Sequence, residues 1–382
     1  MNKKVRIALM THTIDGRSAS GTALVATKCI EALLARQDEF ELTFVHFERS
    51  NEDIYQQGIR EVIFPTFRIH FFNRRFFRQT YYFLTTKDRF DIAHWFQPRL
   101  YPFFWLAPAA HIVVTVHGAG DFTPENKFIL SRFIHNWTLR LFRKKVSAAI
   151  AGSDYARKDI MKYYRLDPAQ VRVVNNGADA SFVPATAEEI ARVKEKYRLP
   201  EKFFLGVGRF IPSKNVPRIL RAFEEFCKET GNTDMRFVNI GAKGLERPLV
   251  DEFLAATAYK DRIQLVGYVE QEDLSVFYSA AYALVFPLLN EGFGLPAVEA
   301  MACRTPTIIS TTAAPEFSDE DAMLVDALDM HDIARAMRML VKDPELRERI
   351  IEAGERKAAT FTWKASTNKI IQIYQELMER AK

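Results

Sequence analysis

Cysteine is scarce in this chain of 382 residues: Cys29, Cys227 and Cys303 are odd in number, far apart and form no CxxC pair. That argues against a zinc knot and fits reduced packing residues in a cytoplasmic protein. Long apolar runs are missing too, since no stretch approaches the roughly 18–20 uninterrupted apolar residues that span a bilayer. The opening run from Val5 to Met10 is short and reads as a first buried strand rather than a secretory signal. There is no internal repeat and no low-complexity tract. Acidic side chains are absent from two stretches. Val62 to Lys87 has none but carries Arg68, Arg74, Arg75, Arg78 and Lys87 among many aromatics; Asn126 to Ser153 has none but carries Arg132, Arg140, Arg143, Lys144 and Lys145. The net charge of +5 thus hides an asymmetry, with 26 basic against 17 acidic residues up to position 180 and 27 against 31 beyond it. A basic, aromatic first half suggests an anionic partner: a phosphorylated acceptor, a membrane surface or nucleic acid.

What is present describes a globular protein, 48% hydrophobic and 26% charged, and long enough for two domains. Short apolar runs at Val5–Met10, Glu41–Phe47, Asp91–Trp95, His111–Val116, Ala148–Ala151 and Val171–Val174 alternate with segments of helical spacing. The pattern pauses around Asn176–Asp179 and Pro184, a linker signal. It restarts with strands at Phe203–Gly208, Met235–Ile240, Ile263–Val266, Ala283–Phe286 and Thr307–Ile309, again with helices between. Alternation of this kind predicts two α/β halves, each a doubly wound, mainly parallel sheet covered on both faces. Ligands of such sheets bind at the carboxyl ends of the strands. The last segment, Trp363 to Arg380, has helical spacing.

The motif richest in chemistry runs from Asn290 to Ile309. A strand leads into a turn through Gly292 and Gly294, and a helix opens near Pro296, a favoured first-turn residue. The amides of Phe293, Gly294 and Leu295 would then face outward at a helix N-terminus, a ready site for a diphosphate. Glu291 precedes the turn and Glu299 follows it; a carboxylate accepts paired hydrogen bonds from vicinal hydroxyls on a ribose or a hexose. Arg209 and Lys214 follow another strand end, where cations stabilise charge on a departing nucleotide. Asp319-Glu-Asp321 has the D-x-D spacing of some metal sites, but it falls late in a polar turn and reads as a solvated loop, so no metal ligand is assigned.

These segments resemble the retaining GT-B glycosyltransferases of family 4. Glu291 to Glu299 is similar to the family's E-x7-E motif, and Val207 to Val216 to its G-R-x4-K-N segment. Thr115–Gly118 resembles its histidine-bearing strand end, and Val173–Asp179 its N-G-x-D turn. Gly267–Leu274, with Tyr278 and Ala281, resembles its nucleobase-side loop and helix. The resemblance covers nearly the whole chain. It implies a GT-B fold: an acceptor-side Rossmann-like domain over 1–180, a nucleotide-sugar domain over 181–362, a cleft between them, and a closing helix 363–382 packing back on the first. It implies Glu291 against the donor sugar, Glu299 against the ribose, the Tyr268–Val269 backbone against the base, and Arg209 and Lys214 at the phosphates. It places His117 near the transferred sugar. The family's aspartate after that histidine is replaced by Gly118, which removes any acid role there. Gly21 fits the second glycine of the family's first loop, while Ser20 replaces the first.

The resemblance also implies transfer with retention. The usual retaining route pairs two carboxylates about 5 Å apart. No such pair is evident, and a same-face displacement is preferred on the resemblance alone. The expected substrate is a hexose on a nucleotide diphosphate, GDP-mannose slightly favoured over UDP-sugars, with no cofactor and no metal. The expected acceptor is a glycan or a lipid-linked sugar, in cell-surface polysaccharide assembly. The aromatic-basic run Phe71–Arg78 reads as an acceptor-lining helix or as a patch for an anionic membrane surface; no nucleic-acid module is visible. Two other readings stay open: a nucleotide-sugar 2-epimerase of the same double fold, and a non-catalytic nucleotide-sugar-binding subunit.

Overall fold

The computed structural model describes residues 4–14, 21–48, 53–70, 74–97, 103–117, 137–231, 234–241, 243–290, 292–311 and 316–380. The chain divides into two compact units, Met1–Asn176 with Trp363–Lys382, and Gly177–Thr362. The first unit is built on strands β1 (Val5–Met10), β2 (Phe40–His46), β3 (Arg60–Ile63), β4 (Phe90–Trp95), β5 (Ala109–Val116), β6 (Ala148–Ala151) and β7 (Val171–Val173). They pair in the order β3-β2-β1-β4-β5-β6-β7, every pair parallel. Helices α1 (Gly21–Leu34), α2 (Arg75–Thr85) and α3 (Asp154–Tyr164) belong to the same unit.

The second unit repeats the plan. Helix α4 (Ala187–Tyr197) leads in. Then follow β8 (Lys202–Val207), α5 (Val216–Thr230), β9 (Met235–Ile240), α6 (Arg247–Ala256), β10 (Ile263–Val266), α7 (Gln271–Ala280), β11 (Ala283–Phe286), α8 (Leu295–Ala302), β12 (Thr307–Ser310), β13 (Met323–Val325), α9 (Met330–Lys342) and α10 (Pro344–Ala358). The sheet order is β10-β9-β8-β11-β12-β13, again all parallel. In each sheet the chain winds outward one way and then jumps back across its first strand. The switch points lie between β1 and β4 and between β8 and β11, where ligands of such sheets sit.

Helices on both faces explain why the central strands are apolar throughout: Ile7, Ala8 and Leu9 are fully buried, as are Phe203, Phe204 and Leu205. Two strands escape the apolar-run reading, β3 and β13. Both are sheet edges only three or four residues long, and β3 opens on Arg60 and Glu61, charges of the kind that protect an edge.

The closing helix α11 (Trp363–Glu379) belongs to the first unit. Its Ile370, Ile371, Ile373, Tyr374 and Leu377 are buried in one cluster with Ala26, Cys29, Ile30 and Leu33 of α1. A polar chain fixes its register: the Tyr374 hydroxyl lies 2.5 Å from His94 Nδ1, and His94 Nε2 lies 2.8 Å from Thr115 Oγ1. Burial, then the nearby His117, pushes the His94 imidazole down to about 3, so it sits in the core uncharged.

Candidate functional site

At the second unit's switch point, β8 ends and the chain passes through Gly208 and Arg209 to a 3-10 turn, Pro212–Lys214, and then to α5. Lys214 folds back over Gly208. A Cβ built there would lie 3.1 Å from Lys214 Cγ, and φ is +139°. The positive φ favours glycine, and a side chain there would crowd the lysine stem. The stem carries Nζ to 5.0 Å from the ring centroid of Phe286, the last residue of β11. Lys214 therefore caps the carboxyl ends of both strands that flank the switch point.

The loop leaving β11 is tied to the loop leaving β8. Asn215, in the left-handed conformation at φ +59°, donates from Nδ2 to the Pro287 carbonyl at 3.0 Å and to the Ala327 carbonyl at 2.7 Å. The Leu289 amide donates to the Ser213 carbonyl at 3.1 Å. These bonds hold the approach to the turn, which Gly294 makes at φ +83°, another conformation that favours glycine. Phe293 is buried with its ring edge-on to Phe361, centroids 5.2 Å apart, anchoring the turn from below. Pro296 stands in the first turn of α8, and among the described residues no carbonyl takes the amides of Phe293, Gly294 or Leu295. Gly292 is half-buried beside them; Glu291 lies outside the described residues.

Glu299 stands one turn into α8, 8% exposed, and its Oε2 accepts the Tyr278 hydroxyl at 3.0 Å. Burial pushes its carboxyl up to about 7; the Tyr278 bond pulls the other way and the Asp179 charge adds to the rise. Arg209 is exposed, and its side chain makes no hydrogen bond or ion pair among the described residues. Tyr268 is 80% exposed and Val269 buried, in the connection from β10 to α7. That connection is held by Asp273 of α7, which receives Arg192 Nη2 at 2.9 Å, Lys196 Nζ at 2.7 Å and the Tyr197 hydroxyl at 2.9 Å, all from α4.

In the first unit His117 follows β5, half-buried, with Nε2 donating to the Phe96 carbonyl at 2.9 Å. A small pocket beside it is lined by Thr115, Gly152, Asn176, Trp363 and Ser366. Gly21 is exposed at the head of α1. Asp321, the second acid of the D-x-D triplet, receives the Ser318 amide at 3.1 Å and its hydroxyl at 3.0 Å.

The second unit thus brings Arg209, Lys214, Gly292 to Leu295 and Glu299 onto two braced loops at β8 and β11, with Tyr268 and Val269 two strands along at β10. His117 and Gly21 stand at strand and helix ends of the first unit. Reading the sequence missed the brace at Asn215, the Tyr278–Glu299 pair and the Asp179 charge, because each partner is remote in the chain. One cation of the basic run is reassigned. Arg78 is 7% exposed and donates to the carbonyls of Pro65, Phe47 and Phe64 at 2.6–2.8 Å, a structural role that takes it out of any anion-binding surface.

The family model described as Glycosyl transferases group 1 matches residues 187–357, and Glycosyltransferase Family 4 matches residues 19–182. The O-antigen chain mannosyltransferase B of Escherichia coli is 29% identical over 229 residues, 59% of this chain and 59% of that protein. The D-inositol 3-phosphate glycosyltransferase of Salinispora tropica is 31% identical over 242 residues, 59% of this chain and 50% of that protein. The chain thus spans between half and three fifths of these relatives. The structure of Anabaena HepE in complex with UDP and glucose matches with a TM-score of 0.75 at 15% identity, covering 97% of this chain and 99% of that one, a likeness of fold.

Proposed function

We propose that this chain, a GT-B glycosyltransferase by its fold and both family matches, moves a hexose from a nucleotide-diphosphate sugar to a glycan or lipid-linked acceptor, with retention. The observation that carries the proposal is Lys214 spanning the ends of β8 and β11, braced to the loop that opens α8. In this reading the donor diphosphate meets Lys214, Arg209 and the amides at the head of α8, so negative charge on the leaving nucleotide is met by groups already in place. These cations take the role a divalent ion takes elsewhere, and the transfer is metal-independent. Glu299 receives the ribose hydroxyls, the Tyr268–Val269 backbone the base, and Glu291 the donor sugar. The same-face route lets the departing phosphate oxygen take the proton of the acceptor hydroxyl. His117, in the first unit, is assigned to the transferred sugar.

Mannose is favoured by the O-antigen relative, in keeping with cell-surface polysaccharide assembly, and the HepE complex keeps a UDP-sugar beside GDP-mannose as donor. Thermal-shift measurements with GDP, UDP and ADP discriminate between them. The cognate diphosphate at a hundred times its Kd is expected to stabilise by about 2.7 kcal/mol. A panel in which no nucleoside diphosphate shifts the melt removes the proposal.

Among the described residues no helix is long and apolar enough to cross a membrane. We assign the acceptor side a peripheral contact with anionic lipid through α2. Arg74, Phe77, Tyr81 and Leu84 fall at helical spacing on one stripe; Arg74 and Arg75 are exposed, Tyr81 is 51% exposed and Leu84 68%. The protein is expected to float with vesicles containing anionic lipid and not with neutral ones. The double variant Arg74→Glu/Arg75→Glu is expected to stay at the bottom of the gradient. Equal behaviour of the two proteins refutes the contact.

A further inference from the structure

We propose that Tyr278 is a positioning residue for the donor nucleotide, its hydroxyl fixing the Glu299 carboxylate in the orientation and ionised form that receive the ribose hydroxyls. This rests on the reading of Glu299 as the ribose carboxylate. Tyr278 is fully buried on α7 and has no freedom to swing. Its carbonyl accepts the Thr305 hydroxyl at 2.6 Å, and its ring packs against Phe182 with centroids 5.9 Å apart. From that seat the phenol donates to Glu299 Oε2 at 3.0 Å, while Oε1 accepts no hydrogen bond among the described residues. Each carboxylate oxygen has two lone pairs. With one taken by the phenol, each oxygen still has an acceptor position for one of two vicinal hydroxyls, and the phenol decides which way those positions face. A protonated carboxyl would lose one of them to its own hydrogen.

The charge balance around Glu299 makes the phenol matter most near neutrality. Among the described residues, the ionisable groups facing it are Tyr278 on α7, Cys303 at the end of α8 and Asp179 ahead of α4. Burial raises the Tyr278 phenol well above its usual range and pushes the Cys303 thiol up to about 12, so neither ionises between pH 5.5 and 9. Burial and the Asp179 carboxylate both favour the neutral form of Glu299. The Tyr278 hydrogen bond opposes them; a hydrogen bond to the charged form favours that form.

The test is calorimetric binding of UDP and GDP to the full chain from pH 5.5 to 9, comparing wild type, Tyr278→Phe and Glu299→Gln. The ratio of Tyr278→Phe to wild-type Kd cancels the titration of the nucleotide itself. It is expected to be about tenfold larger at pH 6.5 than at pH 9, as for an upward displacement of the binding profile by about one pH unit, with the excess over one that persists at pH 9 measuring the lost orientation. A ratio that is the same at every pH would mean that the phenol does not hold the ionised form, and it overturns the proposal. Infrared difference spectra of Tyr278→Phe and wild type, each against its Glu299→Gln counterpart, follow the carboxyl stretch directly and read the same displacement without ligand. Should Tyr278→Phe fail to fold, the wild-type spectrum still decides: a Glu299 carboxyl that stays protonated throughout pH 5.5–9 overturns the proposal, and one that is ionised in the upper part of that range supports it. A different failure belongs to the underlying reading: if Glu299→Gln binds UDP and GDP as tightly as wild type, then Glu299 does not meet the ribose at all.

Discussion

Lys214→Ala is expected to lower kcat on the cognate donor by about 10²–10³-fold, a loss of about 2.7–4 kcal/mol of transition-state stabilisation. The size follows from the lysine's place. Its stem is pinned over Gly208 and its ammonium stands at the ends of β8 and β11, so its charge needs no reorganisation when the phosphate departs. The ammonium also sits over an aromatic face rather than in open water, where the same charge would act more weakly. Lys214→Met separates charge from packing. It keeps an unbranched stem over Gly208 and is expected to lose nearly as much activity as Lys214→Ala while melting like wild type. Arg209→Ala is expected to cost less, because an exposed guanidinium is screened by solvent. Single-turnover rates with excess enzyme isolate the chemical step. A Lys214→Met variant retaining more than a tenth of the wild-type rate would rule out leaving-group stabilisation by this side chain.

How much of this could be read from the sequence depended on distance along the chain. The two doubly wound sheets were legible because a parallel strand buried on both faces is a continuous apolar run, as at Phe203 to Val207. The edge strand β3 was not, since Arg60 and Glu61 break the run, and β13 was not, since three apolar residues are too few to stand out. The turn from Gly292 to Pro296 was visible because glycine and proline encode local backbone geometry. The bonds that hold that turn were not visible. Asn215 reaches Pro287 and Ala327, and Tyr278 reaches Glu299 across the packing of α7 on α8. No local pattern announces a partner chosen by tertiary packing. The same blindness made Arg78 look like surface charge, when its guanidinium is buried and donates to three backbone carbonyls.

Glu299→Gln is expected to stabilise the ligand-free protein while weakening nucleotide binding. The buried carboxyl is pushed from 4.5 to about 7 in the folded state. A folded value above the unfolded one means that the neutral form is preferred in the native protein. Wild type therefore keeps the full contribution of this group below about pH 4.5 and loses it as pH rises through about 7. Glutamine is neutral throughout and loses nothing. The stability difference between variant and wild type should grow by about 3 kcal/mol from pH 4.5 to pH 8 and then level off. Urea unfolding should be followed by circular dichroism, because the tryptophans at 95, 105, 137 and 363 all belong to the first unit and their fluorescence would miss the second. A difference that stays flat from pH 4.5 to 9 would show that ionising Glu299 costs the fold nothing. A growing difference accompanied by weaker UDP or GDP binding would mark a carboxylate held at the expense of stability for the hydroxyls it receives.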